Sequence, residues 1–326
     1  MKTILGNRSS LFPAILVMAL NLVSTTFLQG QGILESATKI WVTESVRESG
    51  VYYRTFYSQT VQTEVSYHVY LPPDYNEHVN EHYPVLYWLH GWGKGTKGIS
   101  KITLIFNGAI ESGKIPPMII VFPNGDMSMW CNWKDGTRPL ETVIMEELIP
   151  DVDRHFKTIP TREGRLIEGF SMGGYGAARL GFKYPEVFGS ISILSGGPLQ
   201  RELTFTPRAN DRTRKRILQQ VYGGDMEYFI AQSPWQLVEE NAGHLQTEVL
   251  IRQVIGDQDE MLEATRNFNA HLGELHIPNT YTELPGVGHD PLKVFNTFGE
   301  DNWAFYRKAF SLATNKKGTT IFQRFK

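Results

Sequence analysis

The strongest constraint on the fold is a rhythm. Short uninterrupted apolar runs recur at Pro84–Leu89, Met118–Phe122, Leu166–Phe170, Ile191–Leu194, Val249–Ile255 and, more weakly, Thr280–Leu284. A strand with one wet face alternates polar and apolar residues. A strand covered by helices on both faces loses that alternation, so these runs predict buried parallel strands. Helical stretches are expected between them at Leu140–Phe156, Gly173–Lys183, Leu262–Leu275 and Val294–Leu312, with Pro150 ending or kinking the first. Ahead of the rhythm, Val51–Tyr57 and Val65–Leu71 flank a polar stretch and read as an antiparallel hairpin. Pro72-Pro73 stops its second strand. The expectation is an α/β chain: a mostly parallel, doubly wound sheet with an antiparallel N-terminal hairpin.

Composition removes several function classes. With 32 basic and 34 acidic residues the chain has no cationic excess to displace counterions from nucleic acid. A single cysteine, Cys131, excludes an intramolecular disulfide and a cysteine-rich metal site. It reads as packed rather than reactive, because no basic partner is evident nearby in the sequence. The mean hydropathy is slightly negative, unlike that of a polytopic membrane protein.

Residues 1–32 have the layout of a secretory signal peptide. Lys2 and Arg8 precede an uncharged, mostly apolar run from Leu11 to Leu28, and Gly30-Gln31-Gly32 offers a small-residue exit. An uncleaved anchor is the alternative, since the run is about long enough to span a bilayer if Ser24–Thr26 are counted. Cleavage is the preferred reading, with no stable membrane insertion afterwards and residues 33–326 forming one domain. Between the strands at Ile191 and Val249, the segment Leu199–Ala242 is longer than an ordinary connection and carries the basic run Arg212–Arg216. That run reads as a solvated helix face balanced by Glu202, Asp211 and Asp225, in preference to an anion-binding patch. The basic tail after Asn315 is expected to be peripheral.

Chemistry is carried by Gly169-Phe170-Ser171-Met172-Gly173, a G-x-S-x-G placed after an apolar run and before a helical stretch. The turn is too tight for side chains at its flanks, and it holds the serine in a strained conformation at the head of a helix. A serine hydroxyl needs a base, and the base an orienting acid. Both follow in the chain order serine, acid, histidine. Asp257 and Asp259 end the next-to-last strand, and His289 lies in the glycine-flanked loop after the last. Either aspartate could accept the histidine hydrogen bond, and one could instead cap the following helix. The backbone N–H groups of Met172 and of Trp92, in the loop His90-Gly91-Trp92-Gly93, are the expected oxyanion donors. Gly93, Gly95 and Gly98 also fit a dinucleotide fingerprint, but no acidic residue closes a following strand at the required distance. Neither a cofactor nor a metal is implied. Trp92, Trp130 and Trp133 leave strand ends where such sheets bind ligands, and are candidates to stack on a sugar or an aromatic acyl group.

From about Gly50 to Phe310 the chain resembles the esterase D-like family of α/β-hydrolases, which includes feruloyl, acetylxylan and enterochelin esterase-type enzymes. The residues that carry the likeness are Val69–Tyr75, Tyr83–Gly91, Gly169–Gly176 with Tyr184-Pro185, Gly256–Asp259 and Gly288-His289. The resemblance implies that Asp259 rather than Asp257 is the acid, because the family's acid ends a G-x-x-D turn. It further implies a secreted serine ester hydrolase acting on a small-molecule or polysaccharide-linked ester, with feruloyl or acetyl esters of plant polysaccharides ranked first. An acyltransferase or a siderophore esterase would use the same three residues. A non-catalytic binding protein could keep the same fold.

Overall fold

The computed structural model describes residues 40–197, 199–203 and 208–315; the N-terminal segment read as a signal peptide and the basic tail lie outside the described residues. Eight strands form one sheet: β1 (Val51–Ser58), β2 (Thr63–Tyr70), β3 (Val85–Leu89), β4 (Ile119–Pro123), β5 (Arg165–Phe170), β6 (Ser190–Leu194), β7 (Leu250–Gly256) and β8 (Asn279–Leu284). Their order is β1-β2-β4-β3-β5-β6-β7-β8. β1–β2 and β2–β4 pair antiparallel, and every other pair is parallel. The hairpin and all six apolar runs are therefore strands of the sheet, and the arrangement is that of an α/β-hydrolase.

The apolar runs are continuous because the sheet has two covered faces. In β3, Val85, Tyr87 and Leu89 enter the core on one face while Leu86 and Trp88 enter the core on the other. On the second face lies α1 (Ile99–Glu111), a helix that the strand rhythm left unassigned. Its Ile99, Ile102, Phe106 and Ile110 recur at helical spacing and are buried. Gly98, in the left-handed region at φ 85°, starts it without a side-chain cap, so the glycines that mimic a dinucleotide fingerprint are in part a helix start.

The stretch expected as one helix from Leu140 to Phe156 is helical throughout but changes gauge. An α-turn, α2 (Leu140–Thr142), leads into a π-helical segment (Val143–Leu148) and then α3 (Ile149–His155). Pro150 lacks an N–H and would crowd the preceding turn, and the wide π-helical turn just before it relieves both problems. It therefore neither ends the helix nor breaks it. The helix after the serine is α4 (Met172–Lys183), and the long connection after β6 folds as four short helices, α5 (Asp211–Tyr222), α6 (Met226–Ala231), α7 (Pro234–Glu240) and α8 (Ala242–Leu245). α9 (Leu262–Glu274) and α10 (Pro291–Asn315), with a break at Gly299, complete the described chain. None of the described helices is long and apolar enough to cross a membrane.

One row of side chains crosses the sheet beneath the serine turn. Glu168, Ser192 and Arg252 are register neighbours on β5, β6 and β7. All three are buried. The Arg252 guanidinium donates to Glu168 Oε2 (2.8 Å), Ser192 Oγ (2.7 Å), Asn302 Oδ1 (2.9 Å) and the Tyr306 hydroxyl (2.8 Å). Tyr306 in turn donates to Glu168 at 2.9 Å, which ties the last helix to the strand that carries the serine. A buried carboxylate and a buried guanidinium each cost several kcal/mol to desolvate, and this closed set of partners offsets that cost.

Candidate active site

Ser171 sits between β5 and α4 with φ 61° and ψ −119°, a conformation L-residues avoid. The turn is tight enough to dictate its glycines. A Cβ on Gly173 would lie 1.8 Å from the Leu89 carbonyl oxygen, and one on Gly169 2.3 Å from the Gly173 oxygen. Strain at Ser171 is thus held by contacts that no other residue type could make. Behind it, α4 is anchored to α2 through Glu141, which pairs with the buried Arg179 and accepts from Lys183 and Tyr184 at 2.6 Å each.

Residues far apart in the chain meet at this turn. His289 Nε2 lies 2.9 Å from Ser171 Oγ, and His289 Nδ1 lies 2.8 Å from Asp259 Oδ2. The carboxylate can only accept, so Nδ1 carries the proton and the Nε2 lone pair faces the serine hydroxyl. The two aspartates have separate partners. Asp259 Oδ1 accepts the Met261 N–H (2.9 Å), whereas Asp257 Oδ1 accepts the Gly286 N–H (2.8 Å) and braces the loop that precedes His289. Burial works to raise the Asp259 carboxyl, but the His289 hydrogen bond and the Met261 N–H outweigh it and hold the group below the ordinary carboxylate range. Phe170 packs against the imidazole with ring centres 4.7 Å apart.

The loop expected to supply an oxyanion donor is held by a residue whose role the sequence reading missed. His90 is 4% exposed. Its Nε2 accepts the Gly125 N–H at 3.0 Å, so its proton is on Nδ1, which donates to the Gly91 carbonyl oxygen at 2.6 Å. That carbonyl belongs to the peptide unit whose N–H is Trp92's. His90 therefore fixes the plane of the peptide expected to point its N–H at an oxyanion. Burial lowers its pKa to about 4, and a second proton would also abolish the Gly125 contact. The Met172 N–H lies in the first turn of α4, where backbone N–H groups lack intrahelical acceptors.

Two tryptophans do not stand where a substrate could use them. Trp130 is wholly buried; its ring packs on Gly125 and Gly176, and its Nε1 donates to the His90 carbonyl at 3.3 Å. With a positive φ of 56° it lies against His90, ring centres 5.0 Å apart, and braces the His90–Gly93 loop from below. Trp133 is half-buried away from the cleft, with the Arg138 guanidinium 4.2 Å from its ring centre. Of the three, only Trp92 lines the cleft above Ser171, which has a volume of about 950 Å³. Cys131 is buried, and burial pushes its thiol up to about 11. No group of side chains able to hold a metal occurs among the described residues.

A strained serine at a strand-to-helix turn thus stands in hydrogen-bond line with a histidine and a buried aspartate on an α/β-hydrolase sheet. Residues 58–315 match the family described as "Putative esterase", and the chain belongs to that family. It is 35% identical over 164 residues to an endo-1,4-β-xylanase/feruloyl esterase of Xylanibacter ruminicola, a match covering 48% of this chain and 23% of that protein. An esterase of Mycobacterium tuberculosis is 35% identical over 149 residues, covering 44% of this chain and 32% of the relative. The chain thus spans about a quarter to a third of the length of these curated relatives. Among solved structures, a ferulic acid esterase superposes with a TM-score of 0.64 at 23% identity, covering 81% of this chain and 99% of that one. An S-formylglutathione hydrolase from Agrobacterium tumefaciens does so with a TM-score of 0.63 at 20% identity, covering 82% and 99%. These likenesses concern the fold.

Proposed function

We propose that the protein is a serine carboxylic-ester hydrolase working through an acyl-enzyme, with Ser171 as nucleophile, His289 as base and Asp259 as orienting acid. The observation that carries this reading is the unbroken line Ser171 Oγ, His289, Asp259, with hydrogen-bond distances of 2.9 and 2.8 Å in a solvent-accessible cleft. Ser171 Oγ attacks the ester carbonyl carbon as Nε2 takes its proton. The carbonyl oxygen, now an anion, accepts from the N–H groups of Met172 and Trp92. Collapse expels the alcohol, which receives the proton from Nε2. Water then attacks the acyl-enzyme by the same route, and the acid leaves.

The substrate class we infer is an acetyl or feruloyl ester of a plant polysaccharide. It is supported by the likeness to a relative named as a xylanase and feruloyl esterase and by a cleft with room for more than a short acyl group. Export is part of the proposal and rests on residues 1–32, which carry the signal-peptide pattern, leaving residues 33–326 as one hydrolase domain. Rates measured on acetylated xylan, feruloylated arabinose, a catecholate-siderophore ester and short aryl esters test the substrate class. Highest kcat/KM on one of the first two is expected, and turnover of only the siderophore ester would move the assignment. N-terminal sequencing of exported protein should begin near Ile33; a retained Met1 would contradict cleavage.

A further inference from the structure

We propose that the cleft is adapted to an ester carrying a negative charge on its acyl or its alcohol part, and that Lys101 and Arg216 are the cations that meet it. This rests on the reading of Ser171 as the nucleophile. In a chain with 32 basic and 34 acidic residues, the described lining of the cleft holds Lys97, Lys101, Arg208 and Arg216 against one carboxylate, Asp290. Asp290 keeps its charge at the cleft, but its Oδ1 accepts the backbone N–H groups of Leu292 (2.9 Å) and Lys293 (3.2 Å) at the start of α10, so the lining remains cationic by three charges. Arg208 is answered by Glu260 at 2.6 Å, and Lys97 Nζ donates to the Trp92 carbonyl at 3.4 Å.

The side chains of Lys101 and Arg216 have neither an ion pair nor a hydrogen bond among the described residues. They come from different elements, α1 and α5, so the periodicity of one helix does not explain their presence at one cleft. Within the basic run of α5 the contrast is internal. Arg214 is neutralised by Asp211, and Asp225, expected to balance the run, pairs with Lys134 instead. Arg216 is left facing the cleft. Lys101 lies in the first turn of α1, where the helix dipole opposes a cation, so its placement gains nothing for the helix. Both cations are solvent-exposed at the cleft, and Phe170, Leu203 and Ile217 supply apolar lining beside them. An anion there gains two cations that have no carboxylate to give up. A carboxylate, as on an acidic sugar, and a phosphate both satisfy that chemistry.

The test compares kcat/KM for neutral 4-acetoxybenzamide with 4-acetoxybenzoate and 4-acetoxyphenyl phosphate, and for neutral phenyl butyrate with phenyl hemisuccinate. These are measured on the native protein, on Lys101→Gln/Arg216→Gln, and on Lys308→Gln, a cation of α10 outside the cleft lining. In the double variant the anionic-to-neutral ratio should fall roughly 5- to 20-fold for at least one pair. Lys308→Gln should leave it in place, and 0.5 M salt should compress it in the native protein. The pair that responds locates the charge on the acyl or the alcohol side and separates carboxylate from phosphate. Ratios unmoved by the double variant would overturn the proposal. If no ester of either kind is cleaved, the nucleophile assignment has failed, and the charge proposal is read instead by calorimetry of 4-acetoxybenzoate on Ser171→Ala. Binding lost on adding Lys101→Gln/Arg216→Gln supports it, and absence of binding rejects it.

Discussion

Two buried carboxylates, Glu168 and Asp259, end up in opposite roles, and the difference lies in their partners. Glu168 faces a guanidinium that cannot give up its proton, with Tyr306 closing the set. A guanidinium has no lone pair with which to take a proton from a neighbour, so the cluster can only hold structure. Asp259 faces an imidazole whose far nitrogen is left open towards Ser171. A carboxylate paired with a neutral histidine stabilises a charge that does not yet exist, and so favours the moment when a proton arrives on Nε2. Burial is common to both, and the titratable partner is what fits one of them for the proposed chemistry.

Substitutions at the two places should separate those roles. Ser171→Ala is expected to lower kcat by on the order of 10⁶ without unfolding the protein, as read by ester turnover and thermal melting. Asp259→Asn should cost about 10⁴ in kcat, because the imidazole loses its orientation and its tautomer. Asp257→Asn, which touches only the Gly286 N–H, should cost less than about tenfold. Equal losses for the two aspartates would break the comparison. Arg252→Met reverses the pattern. It strands Glu168 in the core and should cost about 3–5 kcal/mol of stability in urea unfolding, while kcat per folded molecule falls less than tenfold. Adding Glu168→Gln should return part of that loss.

A change in pH should act on stability. Burial lowers both His68 and His90 to about 4. The unfolded chain takes up protons at these histidines as the pH falls below about 6.5, and the native chain does not until about 4, so stability declines across that window. Each contributes about 3 kcal/mol of that decline by pH 4. The depressed Asp259 carboxyl adds a further loss only as the pH drops below the ordinary carboxylate range. Urea midpoints between pH 7 and 4 should slope accordingly, and His90→Gln should flatten the slope. An unchanged slope would show that His90 is not the buried neutral group described.

Features dictated by a short stretch of chain were legible in the sequence. The serine turn could be read because its glycines, the strand before it and the helix after it are neighbours in the chain. His289 could be read because it follows the last strand with glycines around it. What required three dimensions was not. Asp257 and Asp259 are two residues apart, and only the path of the turn decides which one faces His289. Trp130 looked like a ligand platform until its positive φ turned it under His90. The Glu168, Ser192 and Arg252 row depends on register across three strands, which no single strand encodes. α1 hid behind a glycine-rich loop, and Arg216 became a cleft residue only once α5 and Ser171 came to line one cleft.

The central claim is that Ser171 is the activated nucleophile. Treating the native protein with a fluorophosphonate and mapping the adduct by mass spectrometry tests it most directly. One adduct on the peptide containing Ser171, absent from Ser171→Ala and strongly slowed in Asp259→Asn, is the predicted result. Labelling that persists in Ser171→Ala, or a native protein that takes up no label, would contradict it.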